Sequence, residues 1–110
     1  MKFTITESKL NNMMLQYLDK LDLIKVQKGP NHLNKIWFVN DLDDKSAIIS
    51  YDTKTKFCTI NYSLLEDLTN FFSLPTGMSA LNTIIKWVEQ SVNDVVKDFR
   101  VFSMEDYTFD

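Results

Sequence analysis

Nucleophilic catalysis asks for a nucleophile and a base within hydrogen-bond reach, and this chain holds one histidine, His32, and one cysteine, Cys58. His32 stands in a loop beside Gly29-Pro30-Asn31. Cys58 lies in the middle of a β-type run, where apolar surroundings raise a thiol's pKa and silence it. No third, orienting group stands at a family-specific spacing, so both residues read as structural. Without any CxxC or HExxH, the same two residues leave a zinc site of the usual kind short of ligands. The one cluster that invites a hard cation is Asp41-Leu42-Asp43-Asp44. A calcium loop needs acidic groups at alternate positions, a central Gly and a distal Glu, whereas this turn has no Gly and its flanks read as strands. Asp is simply a residue that tight hairpins favour, and the segment reads as a turn. The residues therefore assign no catalytic, cofactor-binding or metal-binding site.

Charge narrows the partners. Twelve Lys and Arg against fifteen Asp and Glu leave a net charge of −3 and a pI near 5.0, so no global positive field gathers phosphates. Nor is the charge dense enough to imitate a duplex. Lys20, Lys25, Lys28 and Lys35 with His32 make the stretch LQYLDKLDLIKVQKGPNHLNKIWFV the least acidic part of the chain, in the pattern of a helix feeding a winged-helix hairpin. A helix-turn-helix needs two earlier helices, and one precedes this hairpin. Phe38 and Phe57 could stack bases on a sheet face, but the chain's single arginine is Arg100. A nucleic-acid-binding accessory role stays as an alternative, beside a small enzyme using carboxylates, a chemistry that leaves no local motif.

The elements that would position any site come next. At 110 residues, with 45% hydrophobic and 25% charged residues, the chain is long enough for one core and one domain, residues 1–110. One Cys excludes an internal disulfide. The opening MKFTITESKL has no continuous apolar core or small-residue cleavage site, and no later stretch approaches the roughly 18 apolar residues of a spanning helix, so a cytoplasmic protein without membrane contact is expected.

Thr6 can cap a first helix, with Ile5 and Leu10 at the spacing of a hydrophobic staple. Leu10, Met13, Met14, Tyr17, Leu18 and Leu21 then draw one apolar stripe. Four β-type runs follow, Leu23–Gln27, Lys35–Asn40, Ser46–Tyr51 and Lys56–Asn61, divided by turn residues into an antiparallel meander. Placing Tyr51 opposite Lys56 sets Ile49 against Cys58 and Ala47 against Ile60. Closing the preceding loop then sets Val39 beside Ala47 and Trp37 beside Ile49. One face gathers Trp37, Val39, Ala47, Ile49, Cys58 and Ile60. The other carries Ile36, Phe38, Asn40, Ile48, Ser50, Phe57 and Thr59. Trp37, at the centre of the first face, is expected to be more buried than Trp87 at the margin of a helix stripe.

Asn61, or Ser63 with Glu66, can cap a second helix whose buried stripe is Leu64, Leu65, Leu68, Phe71 and Phe72, ended by Pro75. Thr76 can cap a third, in which Leu81, Ile84, Ile85, Val88, Val92, Val95, Val96 and Phe99 keep helical spacing from Gly77 to about Asp98. Residues Arg100 to Asp110 suit a short edge strand, an ordered tail or a frayed end. Glu105, Asp106 and Asp110 beside Phe102, Tyr107 and Phe109 make that end both acidic and aromatic, which reads as a solvated tail or as a peptide that docks on a partner.

FTITESKLNNMMLQYL resembles the openings of small uncharacterised proteins of marine tailed phages, and SLLEDLTNFFSLPTGMSALNTIIKWVEQ looks like their paired-helix end. The resemblance implies a viral origin and a host-cytoplasmic location, and carries no activity or site residue.

The fold expected is α+β: an N-terminal helix, a three- to four-stranded antiparallel meander and two C-terminal helices packed on one sheet face. The work expected is non-catalytic protein–protein interaction, by self-association or with a host or viral protein. Ile36, Phe38, Ile48 and Phe57 are its interface, because helices on the Trp37 face would leave them as a bare apolar patch. Helix one or the aromatic tail folding over that face would instead make it ordinary core.

Overall fold

In the computed structural model, residues 7–27, 34–39 and 48–102 are described. The order along the chain is α1 (Glu7–Lys20), β1 (Ile24–Val26), β2 (Lys35–Val39), β3 (Ile49–Asp52), β4 (Phe57–Asn61), α2 (Tyr62–Phe71), α3 (Met78–Val92) and β5 (Asp98–Phe102). The α+β class stands. The sheet is mixed, not purely antiparallel: its order is β1-β2-β3-β4-β5, with antiparallel neighbours until β5, which runs parallel to β4. Parallel neighbours need a crossover, and α2 with α3 supplies it. The fifth strand comes from the chain end that the sequence left open between strand and tail.

Local chemistry builds the helices. The Asn61 side chain caps α2, accepting from the Ser63 N–H at 2.8 Å, and Leu64 and Leu68 face inward. The Thr76 hydroxyl accepts from the Met78 N–H at 3.3 Å where α3 starts. That helix is shorter than its apolar spacing predicts. Asn93 adopts a left-handed conformation, φ 55° and ψ 48°, which ends α3 after Val92. Val95 and Phe99 consequently leave the stripe and stand exposed.

The β2–β3 register differs from the sequence reading by one residue. Trp37 lies opposite Ser50 and Phe38 opposite Ile49. Ile48 also donates its N–H to the Phe38 carbonyl at 2.8 Å, so two residues face one, the geometry of a bulge. Tyr51 lies opposite Cys58 and Ile49 opposite Ile60, two residues from the expected pairing and therefore on the expected face. A one-residue shift reverses a strand's faces and a two-residue shift does not. Ile36 and Phe38 thus join Ile49, Tyr51, Cys58 and Ile60, while Trp37 and Val39 turn to the other side with Ser50 and Thr59. Residues from all three helices, among them Met14, Leu18, Leu68, Ile84 and Val88, form one core cluster with the Phe38 face. Trp37 and Val39 form a separate cluster with Ile24 and Val26.

Candidate functional site

The four residues expected to form an interface do not share a surface. Ile36, Phe38 and Ile48 are buried within the helix-covered core. Phe57 pairs with Asp52 on the opposite face and is half-buried. Phe38 meets the Trp87 ring edge-on at 5.2 Å, and the Trp87 indole N–H donates to Asp19 at 2.8 Å, which ties α3 to α1. Trp37 and Trp87 are nearly equally buried, at 4% and 7% exposure.

Besides Val95 and Phe99, exposed large apolar side chains lie on the helices. Phe71, expected in the buried stripe of α2, is 66% exposed. α2 ends at Phe71; Phe72, its C-cap, packs partly against the core while Phe71 stands outward. Tyr17 of α1 packs on both rings, at 4.8 Å from Phe71 and 5.9 Å from Phe72, and the two Phe rings stand 4.9 Å apart. Met13, one helical turn before Tyr17, is exposed as well.

The groups with reactive chemistry are locked. Burial pushes the Cys58 thiol up to about 12. Burial, and then the neighbouring Asp94 carboxylate, pushes the Tyr51 hydroxyl up to about 12 as well. That hydroxyl donates to the Val95 carbonyl at 2.6 Å. The Lys56 ammonium bonds the Asp94 carboxylate, which also accepts from the Val95 N–H at 2.8 Å, and these bonds hold Asp94 below the usual carboxylate range. Burial would raise Asp52, but the Thr55 and Lys54 N–H groups and the Lys35 ammonium outweigh it and hold its carboxyl low. The Lys56 carbonyl accepts from the Lys97 N–H at 2.8 Å. Together these contacts pin the α3–β5 connection to the β3–β4 turn. Each of these four pKa values moves away from neutrality, the reverse of what a general acid or base requires.

The cations do not converge. Lys25 donates to the Ser91 carbonyl at 3.3 Å, and Lys35 pairs with Asp52 at 3.8 Å on the opposite side of the sheet. A cleft of about 120 Å³ lined by Asn11, Ser79, Asn82, Thr83 and Lys86 is below the size of ordinary ligand pockets, whereas hollows of about 510 Å³ beside Glu89, Asn93 and Asp94 and about 320 Å³ beside Tyr62 and Thr69 are not. Among the described residues no three His, Cys, Asp or Glu side chains gather as a metal site, and no helix is long and apolar enough to cross a membrane. His32, the turn Asp41–Asp44 and the acidic-aromatic end with Glu105, Asp106, Tyr107, Phe109 and Asp110 lie outside the described residues, as do Thr6 and Ala47. Comparison with models of protein families, with curated proteins and with solved structures finds no match.

Proposed function

We propose that the protein is a small non-catalytic protein–protein interaction module whose contact surface is the aromatic cluster of α1 and α2. The observation that carries this reading is Phe71, two-thirds exposed yet held by two neighbouring rings. The tilted and edge-on contacts with Tyr17 and Phe72 hold the ring from two sides, which lowers the cost of ordering it on a partner, and preorganised aromatic anchors are the residues on which interface energy concentrates. The locked state of Cys58, Tyr51, Asp52 and Asp94 argues against the enzyme alternative, and the opposed placement of Lys25 and Lys35 argues against a phosphate-tracking stripe.

Phe71→Asp tests the reading, because an exposed carboxylate leaves the core untouched. Sedimentation across a concentration series measures self-association, and capture experiments with wild type and variant side by side measure other partners. The expected result is a folded variant that loses the wild-type oligomer or a captured protein. A wild type that is monomeric throughout and retains no protein that the variant loses would end the proposal.

A further inference from the structure

We infer that the polar cleft between α1 and α3 binds a single phosphate-sized oxyanion. This site lies apart from the Phe71 cluster and does not depend on the function proposed for it. Ser79, Asn82, Thr83 and Lys86 stand at i, i+3, i+4 and i+7, so they form one polar stripe along α3, and Asn11 closes the cleft from α1. The two helices are fixed to each other beside it. Trp87, which follows Lys86 in the chain and is buried, donates its indole N–H to Asp19 of α1 at 2.8 Å. The groups that line the cleft therefore stand on two braced helices and not on a loop, which preorganises them for a ligand.

Their chemistry points to an anion. Thr83 is 4% exposed, and its hydroxyl donates to the Ser79 carbonyl at 2.9 Å, so it asks nothing of a ligand. The side chains of Asn11, Ser79, Asn82 and Lys86 have no hydrogen bond or ion pair among the described residues. They bring one ammonium, two amide NH₂ groups and one hydroxyl to the cleft, and no carboxylate lines it. The ammonium repels a metal ion, whereas an oxyanion takes charge-assisted bonds from it and neutral ones from the amides.

Size narrows the class. A water takes about 30 Å³ in the liquid, so a cleft of about 120 Å³ holds about four waters or one compact oxyanion, and not a nucleoside. The larger hollows are unsuited to the same ion: Glu89 and Asp94 line one and Glu66 the other. A net charge of −3 gives no long-range attraction for anions, so local donors must hold one. Lys86 also borders the hollow beside Asp94, but the Glu89 carboxylate there accepts from the Val96 N–H at 2.9 Å and makes no ion pair with Lys86.

The test titrates the full chain with sodium phosphate at fixed pH, against sodium chloride at the same ionic strength, and follows amide resonances by nuclear magnetic resonance. The side-chain amides of Asn11 and Asn82 report from inside the cleft. Saturating shifts at these groups and along Ser79 to Lys86 are expected with phosphate and not with chloride. Lys86→Gln should weaken binding about tenfold or more, the loss of one charge-assisted hydrogen bond. Asn82→Asp should abolish it, and Lys54→Gln, in the exposed turn between β3 and β4, should leave it unchanged. Glycerol phosphate distinguishes the source of the ion: saturation by phosphate alone assigns the site to the free ion, and saturation by both assigns it to a phosphate group carried on a larger molecule. Shifts no larger than those with chloride, or a Lys86→Gln chain that binds as tightly as wild type, would overturn the inference.

Discussion

Alternate residues of the same strands build two unlike faces. The Phe38 face is almost wholly apolar, with Ile36, Ile49, Cys58 and Ile60 packed against three helices and Tyr51 sending its hydroxyl to the rim. The Trp37 face is less evenly buried and carries polar groups inside it: the Ser50 and Thr59 hydroxyls bond each other across β3 and β4, and Asn61 caps α2 from the same side. Helices present broad apolar stripes and therefore suit the first face. The second carries its polar groups where helical stripes do not reach them, and pairs them within the sheet and with the start of α2.

Substitutions that treat the faces alike should separate them. The largest effect is expected from Phe38→Asp. Phe38 is 2% exposed, and an unpaired carboxylate in that core should unfold the domain, seen as lost circular dichroism at all temperatures. A folded Phe38→Asp chain would show that the helical layer does not seal this face. Next come Trp37→Ala and Trp87→Ala, each expected to cost about 3 to 5 kcal/mol in urea titrations because both rings are buried. A Trp37 cost below about 1 kcal/mol would break the equivalence of the two faces.

Alkaline titration probes the Phe38 face through Cys58. Its folded pKa of about 12 lies above the ordinary 9.0, so its contribution is complete below pH 9 and is lost as pH rises from about 9 to about 12. Tyr51, raised from 10.0 to about 12, adds to the loss above pH 10. Urea midpoints should therefore fall through this window, and Cys58→Ala should remove the earlier part of the fall. In native buffer the thiol should react with a disulfide dye only as fast as the domain opens. On the Trp37 face, Thr59→Val removes the hydroxyl bonded to Ser50 and should cost about 1 kcal/mol. The smallest effect is expected at Phe71→Ser, within about 0.5 kcal/mol, because that ring already stands in water.

Much of this architecture was legible in the residues. The stripe of α1, the Asn61 cap, the turn between β3 and β4 and the buried setting of Cys58 each rest on interactions within a few positions of one another. The side of β2 that meets the helices was not legible, for a specific reason. Ile36-Trp37-Phe38-Val39 is apolar at every position and all four are buried, so the period-2 signal that would assign inside and outside is missing from β2. The bulge at Ile48 then supplied the single residue that reversed the strand. The length of α3 was misleading for a related reason: Val95, Val96 and Phe99 continue a helical spacing that the left-handed Asn93 has already broken.

By itself, then, the sequence determined the α+β class, the order of helices and hairpins, the buried setting of the lone cysteine and the net negative charge, because composition, caps and short-range periodicity are local. Tertiary structure alone decided which side of β2 meets the helices, that residues 98–102 join the sheet parallel to β4, and that Phe71 and not Phe38 faces solvent. Those outcomes depend on pairing between positions far apart in the chain, where a shift of one residue exchanges core for surface.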